Sequence, residues 1–450
     1  MKNPLAKARD QLIAAARAAS AKTGTRFIRV EIPVSGISPL AWLAAQHHPI
    51  KGYWSARDGS LEVAAIGEAD ELKSAEFPTV GNVFHQIFQR LENCDPEIRY
   101  FGGFRFGDWH ATDQTWRAFG VYRFLLPQVE LVRRGDAVAL ACNFGAGDAG
   151  SAAATLAALS GIAVEPRQPR GPLPRPTVRM DTPDRKAWLS AVAEASRAIS
   201  DKRLRKLVLA RRACFDFGQP LDAFELLMRL RETTPDCYHF CAIHAGGRVA
   251  FMGAPPERLF ARIGDEVLSE AVAGTRPRGA SDAEDHKFAN ELLSDKKERE
   301  EHSIVVQGIN EALAPICIGL KHEPAPHVAK LGHVQHLVTH FVGKLAPGIS
   351  DEHLFARLHP TPAVAGYPRE AALDEIARLE SFDRGWYAAP VGWINRDASE
   401  FAVAIRCGAV FGSRLCLFSG AGIVEGSDPE SEWNEVEIKI GHFISALTQP

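Results

Sequence analysis

The sequence lacks several of the short motifs that identify common enzyme and metal-binding classes. It has eight cysteines in 450 residues, and no two of them are spaced as CxxC, so paired-thiol zinc motifs are absent. The GxSxG, P-loop and HExxH signatures are absent too, which removes the most direct sequence evidence for those hydrolase, nucleotide-binding and zinc-protease classes. Most cysteines lie in apolar, strand-like runs, so we expect buried free thiols in a reducing cytosol.

Strong net charge and long apolar segments are also missing. The formal net charge is −3, which gives no electrostatic footprint for binding nucleic acid or an anionic membrane. Because the N-terminus has no long apolar run, we predict neither a signal peptide nor a membrane span, and a cytoplasmic location. The basic amphipathic segment PLAKARDQLIAAARAAS is more typical of a plain first helix than of a transit peptide.

The composition that is present is that of an ordinary globular protein, with 46% hydrophobic and 24% charged residues. Strand-like and helix-like runs mix without strict alternation, which predicts an α+β fold of largely antiparallel sheets packed together and flanked by helices. The proline- and arginine-rich stretch 165–176 is a candidate crossing loop. It separates an N-terminal part, 1–176, from a C-terminal part, 177–450, and we expect both to form one compact unit and a monomer.

Local signals place several elements in the C-terminal part. Pro183 is predicted as the first residue of a helix that runs to about Ser200. Asp222 and Ser281 are predicted helix N-caps, each with a glutamate three residues later. The run FAVAIRCGAVFG alternates like one strand, which places Arg406 in mid-strand among apolar neighbours. A cation there needs a carboxylate or phosphate partner, and a structural salt bridge explains it as well as a ligand does.

Two acidic pairs carry the strongest chemical signal. Glu298 and Glu301 lie in one segment with helical period, and Glu432 and Glu435 lie in another. Residues three apart are one helical turn apart, so each pair points its carboxylates the same way. For either pair alone, a solvated helix face is the simpler interpretation. The face of Glu301 continues with apolar residues, however, and two facing helices of this kind could share a divalent cation such as Mg²⁺.

Other polar positions are individually weak signals. Gly420 lies in a glycine-containing segment before the last helix, where an ordinary tight turn is the simpler interpretation. Lys439 follows Glu435 by four residues, as in a common helix ion pair. Lys206 begins a strand, and most such lysines are solvated. Glu257 follows GAPP at the start of a strand and says little by itself.

The histidine-rich stretch LGHVQHLVTHFVGKL does not predict a metal site. His333, His336 and His340 alternate with apolar residues as in a strand, where residues three apart face opposite sides. His239 lies between two cysteines on one strand face, but nothing nearby suggests the fourth ligand or open position that zinc requires.

Seven stretches in the C-terminal part resemble the chorismate-utilising enzymes, which include isochorismate, salicylate, anthranilate and aminodeoxychorismate synthases. They occur in the family's order from about Thr182 onwards: KLVLARR, GAPPERLF, AGTRPRG, KKEREEH, HPTPAVAG, FAVAIRC and SGAGIVEGSDPESEWNEVEIK. The part before about Met180 resembles the family only loosely. The resemblance implies the chorismate-binding fold of anthranilate synthase component I.

The resemblance implies a Mg²⁺ site built from both acidic pairs. In the family, the second acid of each pair holds the ion, so Glu301 and Glu435 are the implied ligands. Glu298 and Glu432 are implied to lie behind them and to contact bound waters. The resemblance implies that the ion binds the ring carboxylate of chorismate.

The resemblance also implies the groups that hold the substrate carboxylates. These are the side chains of Arg406 and Lys439 and backbone amides near Gly274 and Gly420, with assistance from Tyr387. A dianion needs such fixed cations and open backbone donors.

Three positions distinguish members of the family. Lys206 lies where isochorismate and salicylate synthases carry the base that activates water, and where the anthranilate type has glutamine. Ala273 replaces the nucleophilic lysine of aminodeoxychorismate synthases. Ala363 matches isochorismate synthases, whereas several relatives have threonine. All three point to water addition at ring carbon C2, so no glutamine amidotransferase partner is expected.

The implied reaction is the isomerisation of chorismate to isochorismate. Lys206 removes a proton from the water that attacks C2, and Glu257 protonates the departing C4 hydroxyl. Near neutral pH the lysine must be partly neutral and the glutamate partly protonated. The alternatives are a salicylate synthase, which also eliminates pyruvate, the synthase subunit of an anthranilate or aminodeoxychorismate complex, and a non-catalytic chorismate-binding protein. Menaquinone and siderophore synthesis both use isochorismate, and the long N-terminal part mildly favours the menaquinone type.

Overall fold

Antiparallel strand pairing organises the chain. The computed structural model describes residues 3–74, 76, 80–110, 112–167, 171–244, 246–332 and 334–448. Within these ranges, strands join in one 20-stranded hydrogen-bonded sheet, and their pairings are antiparallel. Helices pack on the sheet, so the predicted α+β class with antiparallel pairing is confirmed.

The helices are α1 Pro4–Ala19, α2 Pro39–Ala45, α3 Val80–Leu91, α4 Ala149–Ser160, α5 Arg185–Ser200, α6 Ala223–Thr233, α7 Asp282–Ser294, α8 Lys296–Leu313, α9 Asp351–Leu358, α10 Arg369–Leu379 and α11 Pro429–Thr448. The strands are β1 Phe27–Val34, β2 Lys51–Ser55, β3 Leu61–Ser74, β4 Tyr100–Phe104, β5 Tyr122–Arg134, β6 Ala137–Gly145, β7 Pro176–Thr182, β8 Lys206–Phe217, β9 His239–His244, β10 Val249–Gly253, β11 Arg258–Ile263, β12 Glu266–Pro277, β13 Cys317–His322, β14 His327–Lys330, β15 Val334–Leu345, β16 Gly366–Tyr367, β17 Pro390–Ile394, β18 Ala398–Val403, β19 Cys407–Phe411 and β20 Arg414–Ile423. No helix among the described residues is both long enough and apolar enough to cross a bilayer.

Strands from the N-terminal part pair directly with strands from the C-terminal part. β2 pairs with β9 over its whole length, and β4 pairs with β17. β7 begins at Pro176, the predicted boundary; of the predicted crossing loop, residues 168–170 lie outside the described ranges. The hydrogen-bonded sheet therefore runs across the boundary that the sequence suggests.

Strand β8 begins with Lys206, the first of the predicted site residues, and lies in the interior of the protein. It pairs with β7, with β20 and, at its first two residues, with β16. Because α10 and α5 also pack on it, both of its faces are covered, and ten of its twelve residues are buried. This burial explains why the strand reads as a nearly continuous apolar run from Leu207.

Two predicted elements differ from the structure at their ends. Helix α5 begins at Arg185, not at Pro183, because Thr182 still belongs to β7 and pairs with Arg212. Asp184 is the N-cap, and its carboxylate accepts a hydrogen bond of 2.9 Å from the backbone of Ala187. The predicted caps at Asp222 and Ser281 are confirmed.

The predicted strand that contains Arg406 is wrong as a single element. It divides into β18, which pairs with β11 and β17, and β19, which pairs with β10 and β20. The chain changes partners at residues 404–406, and Arg406 has a φ of +48°, in the left-handed region that non-glycine residues seldom adopt. Arg406 therefore projects from a sharp bend and not from the middle of a strand.

The prediction of free thiols is wrong for two cysteines. Cys214 on β8 and Cys416 on β20 lie directly opposite each other and form a disulfide. Antiparallel partners at one register position point to the same face, which brings their sulfur atoms together. The other six cysteines are free, and five of these are buried.

Candidate active site

One cavity collects residues from ten separated segments of the chain. It encloses about 660 Å³, counted with its open mouth. Every predicted site residue lines it except Glu298 and Glu432, which lie behind its wall. The full lining is Lys206, Val208, Pro256, Glu257, Val272, Ala273, Gly274, Thr275, Glu301, His336, Ala363, Val364, Tyr387, Ile405, Arg406, Ser419, Gly420, Gly422, Glu435 and Lys439.

Lys206 is almost completely buried at the start of β8, with its side chain 1% exposed. Its Nζ lies 2.9 Å from Oε1 of Glu301 on α8. The backbone of Gly422 passes directly beneath this pair. A Cβ at Gly422 would lie 2.2 Å from Glu301 Oε1 and 2.9 Å from Lys206 Cε. Glycine is thus the residue that lets β20 approach the ion pair this closely.

Glu257 is a buried acid without a hydrogen-bond partner for one of its oxygens. It lies between β10 and β11 and is 2% exposed, and its Oε1 is unpaired. Burial, followed by the charge of Glu270, raises the pKa of Glu257 to about 8, although Lys206 and Lys439 act in the opposite direction. The side chain is therefore mostly protonated near neutral pH, and it can donate a proton into the cavity.

The inner acid of each pair is neutralised by a cation outside the cavity. Glu298 accepts hydrogen bonds from Arg276 Nη1 at 2.7 Å and from the backbone of Thr275 at 3.1 Å. Glu432, 1% exposed, accepts a hydrogen bond of 2.6 Å from Lys297 Nζ. Burial and the neighbouring acids raise the pKa values of both Glu298 and Glu432.

The outer acids line the cavity, and each pairs with a lysine that also lines it. Glu301 pairs with Lys206, and Glu435 on α11 pairs with Lys439. Burial acts to raise the pKa of Glu435, but Lys439 and then Lys297 and His336 together lower the pKa below its usual value. Glu435 therefore remains ionised near neutral pH.

The four carboxylates fit a hard divalent cation. Charge repulsion from the outer acids contributes to the raised pKa values of the inner acids, and Oε2 of Glu432 is buried without a partner. Among the described residues, no three of these carboxylates place oxygens within 4.8 Å of one another. Carboxylate oxygens are the ligands that Mg²⁺ takes, and Mg²⁺ needs few of them because it keeps several of its own waters.

Positive and hydrogen-bonding groups line the rest of the cavity. Lys439 Nζ also donates a hydrogen bond of 3.1 Å to the carbonyl of Gly420. The Tyr387 hydroxyl lies close above the same glycine, 3.0 Å from where a Cβ would be. Gly274 has a φ of +78° at an irregularity between β12 and β15, a conformation that glycine adopts without strain.

His336 also belongs to the site, a role that the pattern of the histidine-rich stretch does not predict. Burial, and then Arg406, lower the pKa of His336 to about 3, so the ring is neutral. Its Nδ1 lies 3.0 Å from the Gly274 carbonyl and its Nε2 lies 3.2 Å from Arg406 Nη2. Nδ1–H therefore donates to the carbonyl, and Nε2 accepts from Arg406. The strand predicted here is confirmed as β15, and His333 lies outside the described residues.

Comparison with known proteins places the chain in a family. A profile of the chorismate binding enzyme family matches residues 12–448, and the chain belongs to that family, so the predicted resemblance is confirmed.

Relatives cover nearly the whole chain. The isochorismate synthase MenF of Bacillus subtilis strain 168 is 34% identical over 439 residues, which is 92% of each chain. The salicylate biosynthesis isochorismate synthase of Pseudomonas aeruginosa is 35% identical over 78% of this chain and 74% of that protein. The solved structure of MenF, the menaquinone-specific isochorismate synthase from Escherichia coli, superposes with a TM-score of 0.87 at 29% identity, covering 99% of this chain and 100% of that one.

Proposed function

We propose that this chain is an isochorismate synthase. The reaction adds water to C2 of chorismate and removes the C4 hydroxyl. The observation that carries the proposal is that a buried lysine and a protonated buried glutamate, Lys206 and Glu257, line one cavity with one acid from each pair, Glu301 and Glu435. Relatives with that activity in their names, similar over most of their length, support it.

Lys206 is the proposed general base. Its Nζ lies at the cavity wall and is held by Glu301, so its position is fixed before substrate binds. Water attacks C2 as the amine takes its proton. The C1=C2 double bond moves to C1=C6 and the C5=C6 double bond moves to C4=C5, while the bond from C4 to its hydroxyl breaks. Glu257 gives its proton to the C4 hydroxyl, which leaves as water. The step balances because one water enters and one water leaves.

Arg406, Lys439 and the backbone near Gly274 and Gly420 are proposed to hold the two substrate carboxylates. His336 fixes the orientation of Arg406 by accepting its hydrogen bond. Glu301 and Glu435 are proposed to hold Mg²⁺. When bound, the ion orients the ring carboxylate and offsets its charge.

The specificity positions favour water over ammonia. Lys206, Ala273 and Ala363 all line the cavity, so each is placed to contact a ring bound there. With alanine at 273, the wall has no amine at the position where the aminodeoxychorismate branch carries its nucleophile.

The product identifies the reaction. We expect ¹H NMR of the purified protein with chorismate and Mg²⁺ to show isochorismate. Lys206→Ala and Glu257→Gln should each abolish turnover while calorimetry still detects chorismate binding. Lys186→Ala and Glu92→Gln change exposed residues and should keep full activity. Full activity of either site variant would exclude the role assigned to that residue.

The same assay separates the alternatives. Salicylate fluorescence together with pyruvate would identify a salicylate synthase, and an amino product formed only with ammonia would identify an amidotransferase-type synthase. Chorismate binding without any product would identify a binding protein.

We further propose the menaquinone pathway over the siderophore pathway. The relatives named MenF match over 92% or more of this chain, whereas the Bacillus subtilis isochorismate synthase DhbC matches over 59%. A strain lacking this chain should lose menaquinone, and supplied isochorismate-derived precursors should restore it. We also propose a monomer in the cytoplasm that acts without an amidotransferase subunit.

A further inference from the structure

A second group of metal-binding side chains lies outside the catalytic cavity. Glu323, His327 and His340 place one ligand atom each within 4.8 Å of one another. Glu323 lies in the loop between β13 and β14, His327 begins β14, and His340 lies on β15, with which both strands pair. Glu323 and His327 are thus brought to His340 by the pairing of β13 and β14 with β15.

Backbone hydrogen bonds fix Glu323 against His340. The backbone of His340 donates a hydrogen bond of 2.8 Å to Oε2 of Glu323, and the backbone of Glu323 donates one of 3.3 Å to the His340 carbonyl. The two imidazole rings lie side by side with centroids 5.0 Å apart. The side chains of Glu323, His327 and His340 are 38%, 45% and 45% exposed, so an ion in solution can reach them.

The distances between the three groups are also compatible with ligation of one ion. Nδ1 of His327 lies 3.3 Å from Glu323 Oε2, and Nδ1 of His340 lies 3.3 Å from Oε1. The contact between His340 and Glu323 is a hydrogen bond at the long end of the usual range. In a tetrahedral zinc site with bonds of about 2.0–2.1 Å, neighbouring ligand atoms are about 3.4 Å apart.

We propose that Glu323, His327 and His340 bind one Zn²⁺ ion. Two imidazoles and one carboxylate leave the fourth position for water, as in other three-ligand zinc sites. Nitrogen ligands disfavour Mg²⁺ and Ca²⁺, which take oxygen ligands. Buried Glu270, which also pairs with Arg57, lies behind that ligand, with its Oε2 3.9 Å from Nε2 of His340.

The ion would tie the β13–β14 loop to β15 beside the catalytic cavity. His327 and His340 line a groove together with Pro256, Val272 and His336, and the last three also line the catalytic cavity. The site is distinct from the proposed Mg²⁺ site, whose acids lie on α8 and α11. Zn²⁺ binding should therefore stabilise this edge of the sheet without using the catalytic acids.

Direct binding tests the site. Protein without a polyhistidine tag is stripped of metal, saturated with Mg²⁺ and titrated with Zn²⁺ against a coloured competing chelator. We expect one tight equivalent, and an affinity more than about tenfold weaker in His327→Ala, His340→Ala and Glu323→Gln. His286→Ala, which removes an exposed histidine on α7, and Glu435→Gln, which removes a proposed Mg²⁺ ligand, should keep the tight equivalent.

Thermal unfolding gives an independent readout. Zn²⁺ should raise the melting temperature of the original protein and of His286→Ala, but not of His340→Ala. The proposal is overturned if no tight equivalent binds in the presence of Mg²⁺, or if the three ligand variants bind Zn²⁺ as tightly as the original protein.

Discussion

A carboxyl group in a closed apolar setting resists ionisation, because a buried charge without a partner is costly. Glu257 shows this with an unpaired oxygen and a pKa raised from 4.5 to about 8 by burial, followed by Glu270. A general acid must carry its proton at the working pH. Burial therefore destabilises the ionised form of Glu257. The raised pKa that results would also suit this side chain to protonate a leaving hydroxyl.

This property predicts a pH-dependent stability difference between Glu257→Gln and the original protein. Above pH 4.5 the unfolded chain loses the Glu257 proton while the folded chain keeps it up to about pH 8. The folded state then binds more protons, so its stability falls as the pH rises through this window. Glutamine removes the effect.

Urea unfolding at pH 5 and pH 8 measures the difference. The free energy of unfolding of Glu257→Gln, relative to the original protein, should increase by about 1–3 kcal/mol between these values. Glu92→Gln, at an exposed position, should show no such change. If the free energy of unfolding of Glu257→Gln, relative to the original protein, stays constant with pH, the buried carboxyl titrates normally.

At the scale of single residues, sequence patterns located the catalytic candidates but not their surroundings. Motif order identified Lys206 and Arg406. It could not predict the positive φ of Arg406, because that backbone conformation arises where the chain changes strand partners. His336 was missed because periodicity says which face of a strand a side chain occupies, not which cavity that face borders. The partner of Lys206, Glu301, lies 95 positions further along the chain and is brought close only by folding.

At the scale of elements, α8 and α11 each bring one acidic pair to the same cavity wall. A solvated helix face was the simpler interpretation of either pair alone. The structure buries Glu298 and Glu432 to 6% and 1% exposure and gives each a cation, so these two acids are not part of a solvated face. Four acids on two helices repel one another unless positive charge lies between them.

Because each of these two helices brings acids to the site, we predict that Mg²⁺ stabilises the folded protein. An ion that binds only the folded state adds about 2.7 kcal/mol to the free energy of unfolding at 100 times its dissociation constant. The melting temperature should therefore rise with MgCl₂ at constant ionic strength. Glu301→Gln and Glu435→Gln should lose this rise.

Glu300→Gln is the matched control, because Glu300 is an exposed neighbour on α8 that pairs with Arg205. It should retain the full response to Mg²⁺. If Glu301→Gln and Glu435→Gln respond to Mg²⁺ as Glu300→Gln does, the ion is not held between the two helices.

Element boundaries were predictable where local chemistry decides them and not elsewhere. The caps at Asp222 and Ser281 follow from side-chain hydrogen bonds within one turn. The start of α5 was placed too early because β7 extends to Thr182 to pair with β8, a distant partner. The Cys214–Cys416 disulfide has the same origin, since 202 positions separate its cysteines and only the register of β8 and β20 aligns them.

At the scale of the whole molecule, strand pairing joins the N-terminal and C-terminal parts. β2 forms a ladder with β9, and β4 forms one with β17. Hydrophobic residues from both parts belong to one continuous core. The mixed strand and helix pattern predicted the α+β class, but which strands pair across the boundary depends on contacts that no local pattern records.

This continuity predicts one cooperative unfolding transition. Calorimetry should give a single peak, with calorimetric and van't Hoff enthalpies that agree. Phe144→Ala removes a buried ring from β6 and should cost about 3–5 kcal/mol. It should lower the melting temperature of the entire peak. Two peaks, of which only one moves in Phe144→Ala, would show that the parts unfold independently.

The central claim is that Lys206 activates a water molecule for attack at C2 while Glu257 protonates the C4 hydroxyl as it leaves. Turnover of chorismate in ¹⁸O-labelled water, analysed by mass spectrometry and NMR, tests it most directly. The account predicts isochorismate with one solvent oxygen, located at C2, and no product from Lys206→Ala. Isochorismate that carries no solvent oxygen would contradict it.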